Sequence, residues 1–501
     1  MKNYKNSILF TITSIISSLI SAIFGLILIR LIILHTGSNY NGLNITISQF
    51  VNSFILLEGG ITVIFSYYLF KPIVEKNHHE INKLLSYAKK KYFKIGLVVL
   101  FISIPSSIIY SFFIKTDITF YEIILLFAIS IAGIWLNISL TIKYRLILEA
   151  NNNEYIIQLI TITVLIVVNI ASIYILVSFK SYILVRLMFF LGQLLNYLLL
   201  RFVVSKMFRY IKFDNISETA NISGSKDMYL ERVIGSLYDS SFVFYSSIFI
   251  GTIFLSIFAI YNTIIGTIKN LLTSVVNGPR IYFGRLIAQN DMSKFRKQFM
   301  SFQLVLNVIA LTLGSSLIIM LTPFVSLYTK GITDANYYST IIPYILSITM
   351  VLHIMCTPLG NIIILSGHFK ASRQIQITTF LILITTLLLT IIFKKYDLSL
   401  YSLLISELFL FGARLVFSSK KVLNINYKNI LSQYLPNIIV SFVLILLFTR
   451  YLPIIDTYYI WFFWGVCTVS IFLLINILVV YIFNKKNIVE IIQVVRKGIA
   501  K

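Results

Sequence analysis

Residues 233–276 read VIGSLYDSSFVFYSSIFIGTIFLSIFAIYNTIIGTIKNLLTSVV, a run with no polar gap. As one helix rising 1.5 Å per residue it would be about 66 Å long, roughly twice the ~30 Å hydrocarbon core of a bilayer. The stretch therefore reads as two spans, 233–254 and 255–276. The choice governs everything downstream, because each added span moves every later loop to the other side of the membrane.

Working outward, the same criterion of roughly 20 mostly apolar residues finds twelve more runs: 8–34, 43–70, 95–114, 123–142, 155–179, 183–204, 299–321, 337–363, 375–393, 399–417, 434–453 and 460–483. The first is too long for a signal-peptide core and has no small-residue cleavage site, so it counts as a span. The alternating ten-residue segments of a transmembrane β-barrel are absent. The expected fold is all-α and polytopic, with fourteen transmembrane helices. A polar stretch near 205–232 separates six spans from the next six, and both sixes carry a strongly basic loop after their second span, at 71–94 and 277–298. That weak internal symmetry is of the kind two-lobed transporters show. It predicts lobes over 1–215 and 216–433, with two further helices and a tail over 434–501.

The composition agrees. Of 501 residues, 58% are hydrophobic and only 12% charged, against about 25% charged in soluble domains. The net charge of +24 raises nucleic acid as a partner. Of the 42 Lys and Arg, 32 fall in the N-terminus, every second loop after it and the tail, while the opposite loops and their flanks hold 6. This is the positive-inside pattern with both termini cytoplasmic, so the charge marks orientation and nucleic-acid binding is not expected. Cys356 and Cys467 each lie in an apolar run, which excludes a disulfide scaffold or a cysteine-built metal cluster. The polar stretch 205–232 is far short of the ~50 residues a soluble domain needs. No Gly-rich phosphate loop or HExxH motif is present. These features argue against an ATP-driven pump, a glycosyltransferase or a polymerase, and no catalytic site, metal or cofactor is expected.

A charge at the centre of a membrane helix costs about 2.5–3.5 kcal/mol on insertion scales, so each one needs a reason. Glu58, in Leu57-Glu58-Gly59-Gly60, and Glu407 lie mid-span, where a short carboxylate cannot reach the interface; Asp239 and Lys269 lie in spans seven and eight. Asp239 and Lys269 are each roughly 10 Å deep from the basic side, which allows an ion pair serving either helix packing or transport. Arg30, Arg186 and Arg414 sit within a turn of span ends, where snorkelling is the simple alternative to a buried role. Arg30 and Arg186 share one depth, about 5 Å from the outer face, and mark either an anion site or two snorkelling arginines. His353 reads as a helix contact rather than a proton relay, and His78–His79 as solvated rather than metal-binding. Pro105, Pro343 and Pro358 predict kinks, with the tenth span the best hinge.

The segment Thr36-Gly37…Tyr40-Asn41-Gly42-Leu43-Asn44, then Leu57-Glu58-Gly59-Gly60, then Tyr68-Leu69-Phe70-Lys71-Pro72 resembles the polysaccharide (Wzx-type) flippases of the multidrug/oligosaccharidyl-lipid/polysaccharide exporter superfamily. Weaker similar patches are Tyr144…Glu149-Ala150…Tyr155, Tyr238-Asp239-Ser240 and Ala259-Ile260-Tyr261-Asn262. They cover the first eight spans; spans nine to fourteen match only in number and hydropathy. Where such relatives tend to read Ala-Glu-Leu-Gly, this chain reads Leu-Glu-Gly-Gly, keeping the carboxylate.

The resemblance implies two six-helix lobes around a central cavity. It also implies transfer of an undecaprenyl-diphosphate-linked oligosaccharide from the inner to the outer leaflet of a bacterial plasma membrane by alternating access. Arg30, Arg186 and Lys269 would then hold the phosphates, while Glu58, Asp239 and Glu407 would carry H⁺ or Na⁺ or serve as structural partners. The expected partners are the lipid-linked oligosaccharide, membrane lipids and the polymerase or glycosyltransferases of the same pathway, around a monomeric transporter. A drug or metabolite antiporter of the same superfamily is the alternative.

Overall fold

The computed structural model describes residues 2–211, 226–289 and 291–483. Among them all regular structure is helical, as a bilayer demands, because a helix satisfies its backbone hydrogen bonds within one segment. Twelve segments are long and apolar enough to cross a membrane among the described residues. The protein is a multi-pass membrane protein.

The first compact unit comprises residues 1–259. It contains α1 (Lys2–Thr36), α2 (Ser38–Val74), α3 (His78–Ser111), α4 (Phe120–Leu136), α5 (Ile142–Ala150), α6 (Glu154–Phe179), α7 (Tyr182–Met207), α8 (Lys226–Phe249) and the start of α9 (Thr252–Asn277). Here α1 packs along α6, α2 along α8 and α3, and α4 against α7. A π turn over Asn137–Thr141 joins α4 to α5, so the single expected span 123–142 is two helical pieces in one crossing. The second unit comprises residues 260–501. Besides the rest of α9 it holds α10 (Arg280–Ala288), α11 (Met292–Tyr328), α12 (Ile341–Leu365), α13 (Phe369–Ile392), α14 (Ser399–Phe417), α15 (Tyr427–Tyr451) and α16 (Tyr458–Phe483). The deeply buried α11 is its centre and touches α12, α15 and α16. All fourteen apolar runs coincide with these helices.

Three local readings change. The run 233–276 is indeed two helices, but the break falls at Ile250–Gly251 rather than after 254, since α8 ends at Phe249 and α9 begins at Thr252. Gly251 holds φ +127, a conformation open to glycine and strained for other residues. The basic segment 71–94 is not a loop: α2 runs to Val74 and α3 starts at His78, so its lysines from Lys83 onward lie on helix. Asn77 caps that start by accepting from the Glu80 N–H at 3.1 Å, and lysines are good helix formers where apolarity ends. Pro343 is the third residue of α12, in the first turn where the missing N–H is harmless, and so is no hinge. Pro105 and Pro358 do lie inside continuous helices.

Candidate functional site

In the first unit, helical periodicity assembles a polar cavity. On α7, Arg186, Phe190 and Gln193 recur at spacings of four and three and so share a face. Ser130 on α4 and Asn137 at the π turn stand two turns apart, and Asn44 comes from α2. Together these line a cavity of about 350 Å³. A π turn adds one residue to a helical turn and is common at functional sites; here it carries Asn137. The half-buried Arg186 donates from Nε to Ser130 Oγ at 2.8 Å and from Nη1 to Asn44 Oδ1 at 3.0 Å. The buried Tyr182 donates its hydroxyl to the same Asn44 oxygen at 2.8 Å. The guanidinium is thus held in place from two neighbouring helices, with donors left over for a ligand in the cavity. A fixed arginine with side-chain amides and an aromatic ring suits a phosphorylated or hydroxyl-rich ligand.

In the second unit a buried carboxylate is surrounded by half-buried basic groups. Glu407 on α14 is only 4% exposed, and its Oε1 lies 3.0 Å from His353 Nδ1 on α12. Lys269 on α9 and Arg414, two turns along α14, add positive charge near this carboxylate. Arg414 does not run out to the helix end. It lies against Gly360, donating from Nη1 to Cys356 Sγ at 3.5 Å and from Nη2 to Gln376 Oε1 at 3.4 Å. Cys356 and Gly360 follow His353 by three and seven positions, so α12 turns one face to Glu407 and Arg414. The arrangement can exchange a proton between an imidazole and a carboxylate, with fixed cations nearby.

The predicted residues therefore separate. Arg186 belongs to the first cavity, whereas Lys269, Glu407 and Arg414 belong to the second cluster. Arg30 on α1 is half-buried and is not among the residues lining the cavity. Asp239 on α8 is exposed and belongs to the first unit. Glu58 lies within α2, and its side chain is outside the described residues. Asn44 was legible only as part of a patch, and Ser130, Asn137 and Gln193 were not singled out; the three-to-four spacing along α7 was the available signal. His353 does make a helix-to-helix contact, and its partner is an acid. No group of three metal-ligating side chains occurs among the described residues.

The fold is similar to those of solved proteins of the multidrug/oligosaccharidyl-lipid/polysaccharide (MOP) superfamily. The lipid II flippase MurJ in an inward closed conformation is similar, with a TM-score of 0.66 at 16% identity, over 96% of this chain and 100% of that one. An inward-facing multidrug resistance MATE transporter of the MOP superfamily gives 0.63 at 13% identity, over 87% and 96%. A MOP superfamily transporter from Pyrococcus furiosus, described as having a binding pocket of reversed polarity, gives 0.51 at 13%, over 84% and 97%. No family model and no curated protein sequence matches the chain.

Proposed function

We propose that this protein is a flippase that moves a polyprenyl-diphosphate-linked oligosaccharide, with undecaprenyl as the lipid, from the inner to the outer leaflet of a bacterial plasma membrane. Surface polysaccharide would be assembled from the exported units. The observation that carries the reading is Arg186, pinned by Asn44 and Ser130 in a polar cavity of about 350 Å³. It stands within a fold shared along the whole length of a lipid II flippase. A guanidinium presents paired donors to phosphate oxygens, and amides and aromatic rings complement sugars. In this reading Arg30 and Lys269 assist with the headgroup, and both termini are cytoplasmic. The membrane potential favours outward movement of a negative charge by roughly 2.3 kcal/mol per 100 mV. The protein acts as a monomer beside the glycosyltransferases and polymerase that make and join its cargo.

A second reading, a cation-coupled drug or metabolite antiporter, draws on the His353–Glu407 pair and on the likeness to the MATE transporter. In either reading that pair is where a coupling proton would be exchanged, with Glu58 and Asp239 as further acids in the membrane helices.

Complementation separates the two. Expression in a strain lacking its polysaccharide flippase should restore surface polysaccharide for at least one repeat unit. A shift in drug susceptibility without any return of polysaccharide would instead select the antiporter.

A further inference from the structure

Among the described residues lining the first cavity, Arg186 is the one charged side chain and none is acidic. An anionic group of a ligand is drawn to that side chain. The α4 part of the lining is built differently. Gly133 and Asn137 are four positions apart, the second opening the π turn, so they stand on one side of the helix. A Cβ added at Gly133 would meet Gln193 Cγ at 3.8 Å and Phe190 Cδ2 at 3.9 Å, both ordinary contacts, and its φ is not left-handed. Neither packing nor backbone therefore requires glycine, which weakens a helix relative to alanine. What its missing methyl leaves is a small niche in the cavity wall, bounded by the edge of an aromatic ring and the aliphatic stem of Gln193.

One turn along, Asn137 Oδ1 is buried and no donor of the protein reaches it. A buried acceptor without a donor is unfavourable, and a ligand that brings an N–H or O–H relieves it. Gln193 adds an amide that can donate as well as accept. The lining thus asks for an anion at Arg186, a donor at Asn137 and a small apolar group at Gly133. An acetamido group meets the last two in one planar unit. Its N–H donates to Asn137 Oδ1, its methyl enters the niche, and its carbonyl accepts from Gln193 Nε2. Neighbouring positions on a helix face lie roughly 5–6 Å apart, a span that such a group bridges. A hydroxyl would satisfy Asn137 and leave the niche unfilled.

We infer that Gly133, Asn137, Phe190 and Gln193 form a subsite for the acetamido group of an N-acetylated sugar phosphate whose phosphate is held by Arg186. That this sugar phosphate is lipid-borne rests on the flippase reading; the subsite rests on the niche and the buried acceptor. Sugars with a bare hydroxyl in place of the acetamido group bind more weakly, so the subsite discriminates among sugar phosphates.

Isothermal titration of the purified full-length protein in detergent with N-acetylglucosamine 1-phosphate and glucose 1-phosphate tests this. The N-acetylated ligand should bind about tenfold more tightly, the combined effect of one hydrogen bond and one buried methyl. Gly133→Ala, which fills the niche, and Asn137→Leu, which removes the acceptor, should each bring the ratio of the two affinities close to one. Arg186→Gln should weaken both ligands and keep the ratio. Equal affinities in the wild type, or an unchanged ratio in both Gly133→Ala and Asn137→Leu, would overturn the inference, as would no binding of either ligand. A farnesyl-diphosphate-linked N-acetylglucosamine that binds more tightly than the 1-phosphate assigns the cargo to a lipid. Equal binding of those two, or selective binding without complementation of the flippase-deficient strain, would defeat the flippase reading and leave the subsite standing.

Discussion

His353 Nδ1 on α12 and Glu407 Oε1 on α14 lie 3.0 Å apart, joining two helices through a histidine and a carboxylate that is almost wholly buried. Removing one partner from a buried pair strands the other, at about 3–5 kcal/mol. The informative variant is therefore Glu407→Gln, which keeps shape and hydrogen bonding while abolishing the carboxylate's titration. Export should fall at least about tenfold, the scale of one lost charge-assisted bond, while the amount of folded protein in the membrane holds. Wild-type export by Glu407→Gln would reduce the pair to a structural link.

Arg186 and Asn44 share one hydrogen bond at 3.0 Å, and Tyr182 braces the same oxygen at 2.8 Å. Arg186→Ala should lower export strongly. Asn44→Ala should lower it less, because the Ser130 bond still holds the guanidinium. Their effects should not add, since residues in one network couple by about 0.5–3 kcal/mol. Surface polysaccharide per unit of this protein in the membrane, measured across the four proteins of the cycle, gives the coupling. Strict additivity would show that Asn44 does not act through Arg186. Arg30→Ala in the same assay reads the second arginine near a span end: full export in the Arg30→Ala/Arg186→Ala double variant would leave both as snorkelling residues.

The place of the helices was legible because a bilayer imposes length and apolarity on its spans; twelve of the expected fourteen meet that criterion among the described residues. What pairs with what was not. Glu407 and His353 were each visible as costly residues inside spans, but they are 54 positions apart and only packing of α12 on α14 joins them. Arg186 is 142 positions from Asn44, and nothing in the local pattern of either helix names the other. Periodicity marks a polar face without saying what it meets. The helix break was misplaced by a few residues because apolarity continues straight through it; the signal was the backbone freedom of Gly251, not a change in composition.

That break lies beside a second close approach. A Cβ built at Gly42 on α2 would stand 1.8 Å from the carbonyl oxygen of Thr252, the first residue of α9. Since the obstacle is backbone, it cannot turn aside as a side chain would. Gly42→Ala should push α2 away from the α8–α9 junction and destabilise the protein by about 1–3 kcal/mol, the usual cost of overpacking, seen as a lower Tm in detergent. Gly25→Ala on α1, where a Cβ meets nothing within 4 Å, should leave Tm unchanged or slightly raised, because alanine is the better helix former. Equal behaviour of the two variants would show that α2 and α9 are not in close contact.

The orientation follows from counting the residues 233–276 as two helices, α8 and α9. With two crossings, the segments before α8 and after α9 lie on one side; with one, they lie on opposite sides, and every later loop inverts. Alkaline phosphatase fusions distinguish the cases, because the enzyme folds only outside the cytoplasm. Fusions after Arg209 and after Gln289 should both be inactive. A fusion after Lys330, in the connection between α11 and α12, should be active, and one after His368, between α12 and α13, inactive again. This alternation would place the basic segments inside, as the positive-inside rule predicts from the distribution of the 42 Lys and Arg. Activity after Gln289 with none after Lys330 would mean a single crossing between 226 and 277 and an inverted side for every later loop.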